Sequence, residues 1–137
     1  MQTFHLEILS PERAFYIGEC VSLVIPISVG MLGIMAHHTP LTAAICNGEV
    51  TLTLPDGSRQ ICAITQGMVN VSGNEVKVLC ESALHPEEID AEKERRAAEE
   101  AMLEMRKQQG KKDYVLSQIA FAKAMNHLRV KQHSENL

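Results

Sequence analysis

The residues best suited to chemistry in this sequence are its cysteines and histidines, and their spacing decides what they could do. The four cysteines are Cys20, Cys46, Cys62 and Cys80. They are widely spaced, without the C-x-x-C pairs typical of zinc and redox sites, and three of them adjoin apolar or strand-forming residues. This pattern predicts reduced thiols, mostly in or near a core, and no metal site.

Catalysis by this chain is not expected from its motifs. The sequence contains no Ser/His/Asp order, no glycine-rich phosphate loop followed by a helix, and no metal-ligand spacing. The adjacent pair His37-His38 has no acidic partner nearby in the sequence. We therefore predict no catalytic residues.

The charge distribution excludes several kinds of partner. The net charge of −4 comes entirely from the first 85 residues, because acidic and basic residues balance in the remainder. Such a weak acidic balance is not the footprint of a nucleic-acid-binding protein. No apolar run is long enough to span a membrane. Residues 1–5 lack the charged and apolar regions of a secretion signal, so a cytoplasmic location is expected.

The predicted secondary structure that would position any binding residues changes from strands to helices at His85-Pro86. Before this point, short alternating apolar runs are separated by turn signals such as Pro55-Asp56-Gly57 and Ser72-Gly73-Asn74. Many short strands at this spacing predict a sandwich or a flattened barrel over residues 1–85.

Residues 86–137 predict two helices joined near Gly110. The apolar residues of the second helix fall at helical spacing on one stripe: Tyr114, Phe121, Met125 and Leu128. Alanines keep both helices slim, so their contact buries little area and the pair should be a movable element.

Four stretches of the sequence resemble the ε subunit of F-type ATP synthases. Residues 10–16 are similar to its opening S/T-P motif, and residues 30–41 to its G-x-x-G-I…H-x-P-L loop. Residues 66–71 resemble its G-G-Φ-Φ-x-V segment, with Gln66 in place of the first glycine. Glu88-Ile89-Asp90 opens the helical region as in the family, and the resemblance runs nearly from end to end.

The resemblance implies a ten-stranded β-sandwich followed by an antiparallel two-helix hairpin. It implies a non-catalytic central-stalk subunit that couples ion translocation to ATP synthesis and inhibits ATP hydrolysis through the hairpin. The implied partners are the γ subunit, the ring of c subunits and the catalytic α/β head. The implied location is the cytoplasmic face of the cell membrane, as a peripheral subunit.

The resemblance also implies where the β domain binds the rotor. Val29, Gly30 and Met31 would form a tip facing the c ring, although Met31 stands where some relatives carry an acidic residue. Ser10 would face γ, and His38 would contact γ or the ring. The alternatives are a glycine turn that serves only the fold, a serine that ends a strand and an exposed loop histidine.

The hairpin carries two further sets of candidate residues. A basic cluster at its apex would meet an acidic segment of the catalytic head, or else simply end and begin helices: Arg106, Lys107, Lys111 and Lys112. Some relatives bind ATP between the helices, and the matching positions here are Asp90, Lys93, Lys123 and His127.

Lys93 replaces the arginine of the family's ATP-binding motif, and Glu94 replaces the alanine that follows. These two changes remove a bidentate phosphate ligand and add a negative charge. No cofactor is therefore expected, with ATP as a regulatory ligand the alternative. The alternative function is a free-standing sandwich module with a dimerising hairpin, which would need a larger apolar stripe on the helices.

Overall fold

The computed structural model describes residues 2–107 and 111–136, with the backbone alone for 111–113. The chain divides into two compact units, Met1–His85 and Pro86–Leu137. The first unit consists of β-strands and the second of helices.

Short alternating runs form ten strands in the first unit. They are β1 (Phe4–Leu9), β2 (Ala14–Cys20), β3 (Ser22–Ile27), β4 (Gly30–Met35), β5 (Leu41–Ile45), β6 (Gly48–Thr53), β7 (Arg59–Ile64), β8 (Gly67–Ser72), β9 (Glu75–Cys80) and β10 (Ala83–Leu84). Their hydrogen-bonded order is β10-β7-β6-β3-β5-β8-β9-β1-β2, with β4 paired to β3. The β1–β9 pair is parallel, and the neighbouring β1–β2 and β8–β9 pairs are antiparallel.

Strand β3 is the corner at which the sheet folds over. Its first half pairs with β6, from Ser22 opposite Thr53 to Val24 opposite Thr51. Its end pairs with β5 through Ile27 opposite Ile45. The two halves of the sheet thereby enclose one core, and the predicted ten-stranded β-sandwich is confirmed.

The core follows from the alternation of side chains along the strands. Among the described residues, the largest fully buried side chains include Phe4, Leu6, Ile8, Leu23, Ile25, Ile34, Leu52, Ile64, Val50, Val69, Val71 and Val78. Each contributes about 1.5–3 kcal/mol by leaving water. A one-residue shift of any strand would turn its share of these side chains outward, so the register is strongly specified.

The second unit contains a 3₁₀ turn (Pro86–Glu88), α1 (Ala91–Lys107) and α2 (Lys111–Glu135). Asp90 begins α1 as its N-cap, since Oδ1 accepts hydrogen bonds from the backbone N–H groups of Glu92 and Lys93, at 3.1 and 3.2 Å. The two helices pack against each other, which confirms the predicted hairpin. Neither helix, over its described residues, is apolar enough to cross a bilayer.

The buried face of α2 differs from the predicted stripe. Tyr114 and Met125 are exposed, whereas Ala124, His127 and Val130 are buried. Phe121 and Leu128 of the predicted stripe are half buried, and Ala120 and Ala122 are exposed, so the contact is displaced toward the face of Ala124, His127 and Val130. Helical periodicity locates apolar faces but does not say which one meets the partner helix.

The thiols are mostly held in the core, as expected. Burial raises the pKa of Cys62 to about 12, with smaller effects of Cys80 and Glu49, and burial raises the pKa of Cys80 to about 11. Burial also raises the pKa of Cys20, whereas Cys46 is exposed. Over the described part of the chain, no His, Cys, Asp or Glu residues cluster as metal ligands would.

We predict that alkylation of the native chain at neutral pH labels Cys46 and spares Cys62 and Cys80. A thiol whose pKa is raised from 9.0 to about 11 holds roughly a hundredfold less thiolate at neutral pH. Peptide mapping by mass spectrometry after brief labelling measures this, with all four thiols labelled in denaturant as the control. Equal labelling of Cys46 and Cys80 in the native chain would contradict it.

Because of these pKa shifts, the free energy of unfolding falls as pH rises above the ordinary thiol pKa. Folding raises these thiol pKa values, so the folded state retains protons that the unfolded state loses. The contribution to stability is complete below the ordinary thiol pKa and is lost as pH rises toward about 11 and 12.

Gly67 lies where β8 meets β9 so closely that no side chain fits. A Cβ atom there would overlap the carbonyl oxygen of Leu79 and lie 2.7 Å from the Cα of Cys80. We expect Gly67→Ala to lower the free energy of unfolding by about 1–3 kcal/mol, measured by denaturant titration. Gly33→Ala is the matched control, because a Cβ at Gly33 meets nothing within 4 Å. A stability loss no larger than that of the control would refute the steric argument.

Candidate functional site

The turn between β3 and β4 forms an exposed apolar tip. Ile27 pairs with Gly30, which leaves Ser28 and Val29 as a two-residue turn. Gly30 has a φ of 134°, a conformation that side-chain-bearing residues rarely adopt. Val29 is 88% exposed and Met31 59% exposed. The structure thus brings together the three predicted tip residues and presents two large apolar side chains to solvent.

His38 lies at the opposite end of β4, in the loop that follows Met35. Its Nδ1 is 2.7 Å from the carbonyl oxygen of Thr39. The preceding residue, His37, has a φ of 61° and donates its backbone N–H to Oδ1 of Asn74 at 2.8 Å. This bond ties the loop to the β8–β9 turn. A strand of six residues separates His38 from the tip, so these two predicted contacts are not one surface.

Ser10 lies at the end of β1, where the chain turns. Its hydroxyl accepts a hydrogen bond from the backbone N–H of Arg13 at 3.3 Å. The side chain also borders a shallow hollow of about 290 Å³ lined by Leu9, Pro11, Leu79 and Cys80. Ser10 therefore closes a turn and remains accessible at the rim of an apolar depression.

An apolar row on the outer face of the sandwich was not predicted. Met68 of β8 lies opposite Leu79 of β9, and both are half exposed. Leu79 in turn lies opposite Leu9 of β1, and Ala44 of β5 lies opposite Met68. We call these four residues the apolar row. The sequence offered one signal for this row, a methionine and a leucine at outward-facing positions of strands whose residues otherwise alternate between apolar and polar. Only the strand register shows that these two side chains are neighbours.

The surface between the two helices, the hairpin seam, includes several small residues. Ala98 and Ala101 of α1 and Ala124 of α2 are buried, together with Val130. Alanine side chains remove little apolar area from water, so hydrophobic burial stabilises the seam far less than it stabilises the sandwich core. This agrees with the expectation of a hairpin held by alanine contacts.

One charged pair lies within the hairpin seam. Nδ1 of His127 is 3.0 Å from Oε1 of Glu94, with side-chain exposures of 4% and 18%. The ring N–H directions are poorly aligned with acceptors, and both ring nitrogens lack a directed hydrogen bond within the described residues. The contact is therefore an ion pair when the imidazole is charged, rather than an oriented hydrogen bond.

The four candidate nucleotide contacts do not form an open anion site. The carboxylate of Asp90 is occupied as the cap of α1. His127 is buried against Glu94, whose negative charge would oppose a phosphate. Lys93 is exposed and Lys123 half buried. In this conformation, His127 in particular is not available to a ligand.

The basic cluster is described in part. Arg106 and Lys107 are exposed at the end of α1, and Nζ of Lys107 is 3.3 Å from Oε1 of Glu104. The side chains of Lys111 and Lys112 lie outside the described residues. The two described cations are favourably placed for the helix dipole, and Glu104 partly neutralises one of them.

Exposed apolar side chains accompany these cations. Met102 and Leu103 near the end of α1 are exposed, as are Leu116 and Ile119 near the start of α2. The basic residues of this region were predicted from the sequence as a binding surface, but its apolar surface was not. We call these four residues the apolar end of the hairpin.

The sequence matches a family model described as "ATP synthase, Delta/Epsilon chain, beta-sandwich domain" over residues 3–86. An ATP synthase epsilon chain of Caldanaerobacter subterraneus is 32% identical, with 94% of each chain covered. One of Nitrosococcus oceani is also 32% identical, with 95% of this chain and 93% of the relative covered.

Solved structures share the fold. A chain of the Euglena gracilis mitochondrial ATP synthase, in an assembly of OSCP, F1 and c-ring, has a TM-score of 0.79 at 18% identity, covering 98% of this chain and 82% of that one. A chain of the Tetrahymena thermophila mitochondrial ATP synthase, from its central stalk and c-ring, has a TM-score of 0.57 at 13% identity. It covers 97% of this chain and 96% of that one.

The sequence matches extend through both the sandwich and the hairpin. They confirm the resemblance that the four stretches of sequence predicted. This chain belongs to the ATP synthase epsilon chain family.

Proposed function

We propose that this chain is the central-stalk subunit of a rotary F-type ATP synthase that couples ion translocation to ATP synthesis and restrains ATP hydrolysis. The observation that carries the proposal is the match of both units to ATP synthase epsilon chains, over 94% of this chain. The chain would act by binding rather than by bond chemistry. Its partners would be γ, the c ring and the α/β head, at the cytoplasmic face of the cell membrane.

The sandwich is the half that holds the rotor. Its exposed tip offers Val29 and Met31 to the c ring. Ser10, beside the apolar row, faces γ. Met68 and Leu79 are already half buried, so burying the rest of each would add about half of the roughly 1.5–3 kcal/mol of a fully exposed side chain. His38, at the other end of β4, must serve a separate contact. The tip contact is apolar, because Met31 supplies no carboxylate.

The hairpin is the half that regulates hydrolysis. When extended, its basic residues Arg106 and Lys107 would meet acidic side chains of the catalytic head. The apolar end of the hairpin would lose its exposure to water in the same contact, which supplies an attraction that salt does not screen. ATP as a regulatory ligand is not part of the proposal, since Glu94 occupies the seam next to His127.

The alternative function, a sandwich module that dimerises through its hairpin, has one observation in its favour. The apolar end of the hairpin is exposed, as a dimer contact would require. Sedimentation of the full chain decides this: a concentration-dependent dimer lost on changing Leu103 and Ile119 to serine would favour the alternative. A monomer at micromolar concentration is the expected result.

We predict that a chain ending at His85 folds and still joins the ATP synthase. The sandwich is a compact unit with its own core, so removal of residues 86–137 leaves that core complete. Affinity purification from membranes with tagged full-length and truncated chains should return γ in both cases. ATP hydrolysis by the truncated complex should be higher by about twofold or more. This is the increase expected when the extended hairpin holds half of the full-length complexes in the inhibited state.

Two outcomes would contradict parts of this. An unfolded or γ-free truncated chain would exclude the assignment of rotor binding to the sandwich. Unchanged hydrolysis with γ recovered would exclude the hairpin as a brake while leaving the stalk role intact.

We predict that Val29→Ser and Met31→Ser weaken retention of the c ring. Losing either apolar contact should cost about 1.5–3 kcal/mol, or roughly tenfold to hundredfold in affinity. The ring recovered with the tagged chain in detergent measures the loss. Ile17→Ser is the matched control, since Ile17 is a similarly exposed apolar residue away from the tip. Equal loss of the ring with the control would argue against a specific tip contact.

A further inference from the structure

We propose that two copies of the chain, when free of other partners, pair through the open edge of β4 and form one continuous antiparallel sheet across a two-fold axis at Gly33. The pairing is weak and occurs well above micromolar concentration. It does not rest on the function proposed above. Its consequence does, because a paired chain cannot present Met31 to the c ring.

Strand β4 lies at an edge of the sheet. Among the described residues, β3 is the only strand that pairs with it, along its whole length from Gly30 to Met35. An unpaired edge offers a row of backbone N–H and C=O groups to any second strand, and natural edges are usually protected by charged side chains, proline or a bulge. The residues of β4 include neither a charged side chain nor a proline. This edge is therefore open to another strand.

The strand register shows which backbone groups face the open edge. Pro26 of β3 lies opposite Met31, and its carbonyl oxygen accepts a hydrogen bond from the backbone N–H of Cys46 at 3.0 Å. The backbone of Pro26 thus bonds on the side of β3 that is away from β4. Because hydrogen-bonded and non-hydrogen-bonded pairs alternate along antiparallel strands, Met31, Gly33 and Met35 direct their N–H and C=O groups toward the open edge.

The sequence of β4 is nearly palindromic in side-chain type, which selects a second copy as the occupant of its edge. Gly33 is at the centre, Leu32 and Ile34 flank it, and a methionine follows on each side. In an antiparallel pair centred on Gly33, each methionine lies beside a methionine of the second copy, and Leu32 lies opposite Ile34. A two-fold contact requires such self-complementarity, since the same surface is used by both copies.

The contact removes exposed methionine side chains from water. Met31 and Met35 are 59% and 62% exposed and lie on the same face of the strand. Met35 also borders a shallow hollow of about 400 Å³ with Val21 and Ala36, and Met31 of the second copy would lie beside it. Pairing therefore covers two methionines of each copy in addition to forming backbone hydrogen bonds.

Charge does not oppose the contact, but its small size makes it weak. Residues 21–48 contain no Asp, Glu, Lys or Arg, although the chain carries a net charge of −4. Paired strands of about 20 Å bury less than the roughly 1,200 Å² at which stable complexes begin. We therefore expect a dissociation constant on the order of 0.1–1 mM and a monomer at micromolar concentration.

Disulfide trapping of the full chain with Cys46→Ser, at about 0.5 mM and with oxidised glutathione, tests the contact and its register. Gly33→Cys should cross-link at least about tenfold faster than Ile17→Cys, an exposed position on the edge strand β2. The reason is that paired residues at the axis have Cα atoms about 5.5 Å apart, within reach of a disulfide. Met31→Cys and Met35→Cys should cross-link little alone and form a heterodimer when mixed, because residue 31 meets only residue 35.

Sedimentation of the unmodified chain measures the pairing without added thiols. Between about 10 µM and about 1 mM the chain should pass from a monomer to at least half dimer. Met35→Lys should abolish the dimer by placing a charge at the edge, whereas Met68→Lys, the same change at a methionine that is 53% exposed, should preserve it.

Three results would overturn the proposal: a monomer at all these concentrations, a dimer that survives Met35→Lys, or Gly33→Cys cross-linking no faster than Ile17→Cys. Failure of the proposed tip contact would appear separately. In that case, Val29→Ser would leave recovery of the c ring unchanged while Gly33→Cys still cross-linked.

Discussion

The size of the side chains that meet inside each unit determines how this protein can work. Branched and aromatic side chains fill the sandwich, and many of them are almost completely buried. The buried side chains of the hairpin are smaller or polar, namely Ala98, Ala101, Ala124, Val130, Asn126 and His127. Because hydrophobic stabilisation follows the apolar area removed from water, the two units differ greatly in cohesion. Burial of apolar area therefore stabilises the sandwich much more than the hairpin.

The charged pair in the seam fits this difference in cohesion. A buried ion pair adds little net stability compared with apolar side chains of similar size, but it defines which residues must face each other. Glu94 opposite His127 therefore specifies the register of two helices whose alanines would tolerate sliding. Glu94, which stands where the resemblance implies an alanine, is one of the two residues that make this contact.

Much of the fold could be predicted because it depends on local rules. Alternation located the strands, turn residues such as Asp56 and Gly73 located the hairpins, and alanine with flanking charges located the helices. The tip residues were found because a short motif places them in one turn. The apolar row escaped prediction because Met68, Leu79 and Leu9 become neighbours only through the pairing of three strands. The ion pair escaped because helical periodicity does not reveal which faces of two helices meet.

The parallel pairing of β1 with β9 has a consequence for the order in which the protein is made. Strand β1 leaves the ribosome first, yet its neighbour β9 ends at Cys80, close to the end of the sandwich sequence. The sheet therefore cannot be completed until nearly all of the first unit has been synthesised. The helices follow immediately, so the sandwich can close while the hairpin is still emerging. The order of synthesis therefore favours completion of the sandwich core before the two helices can pair.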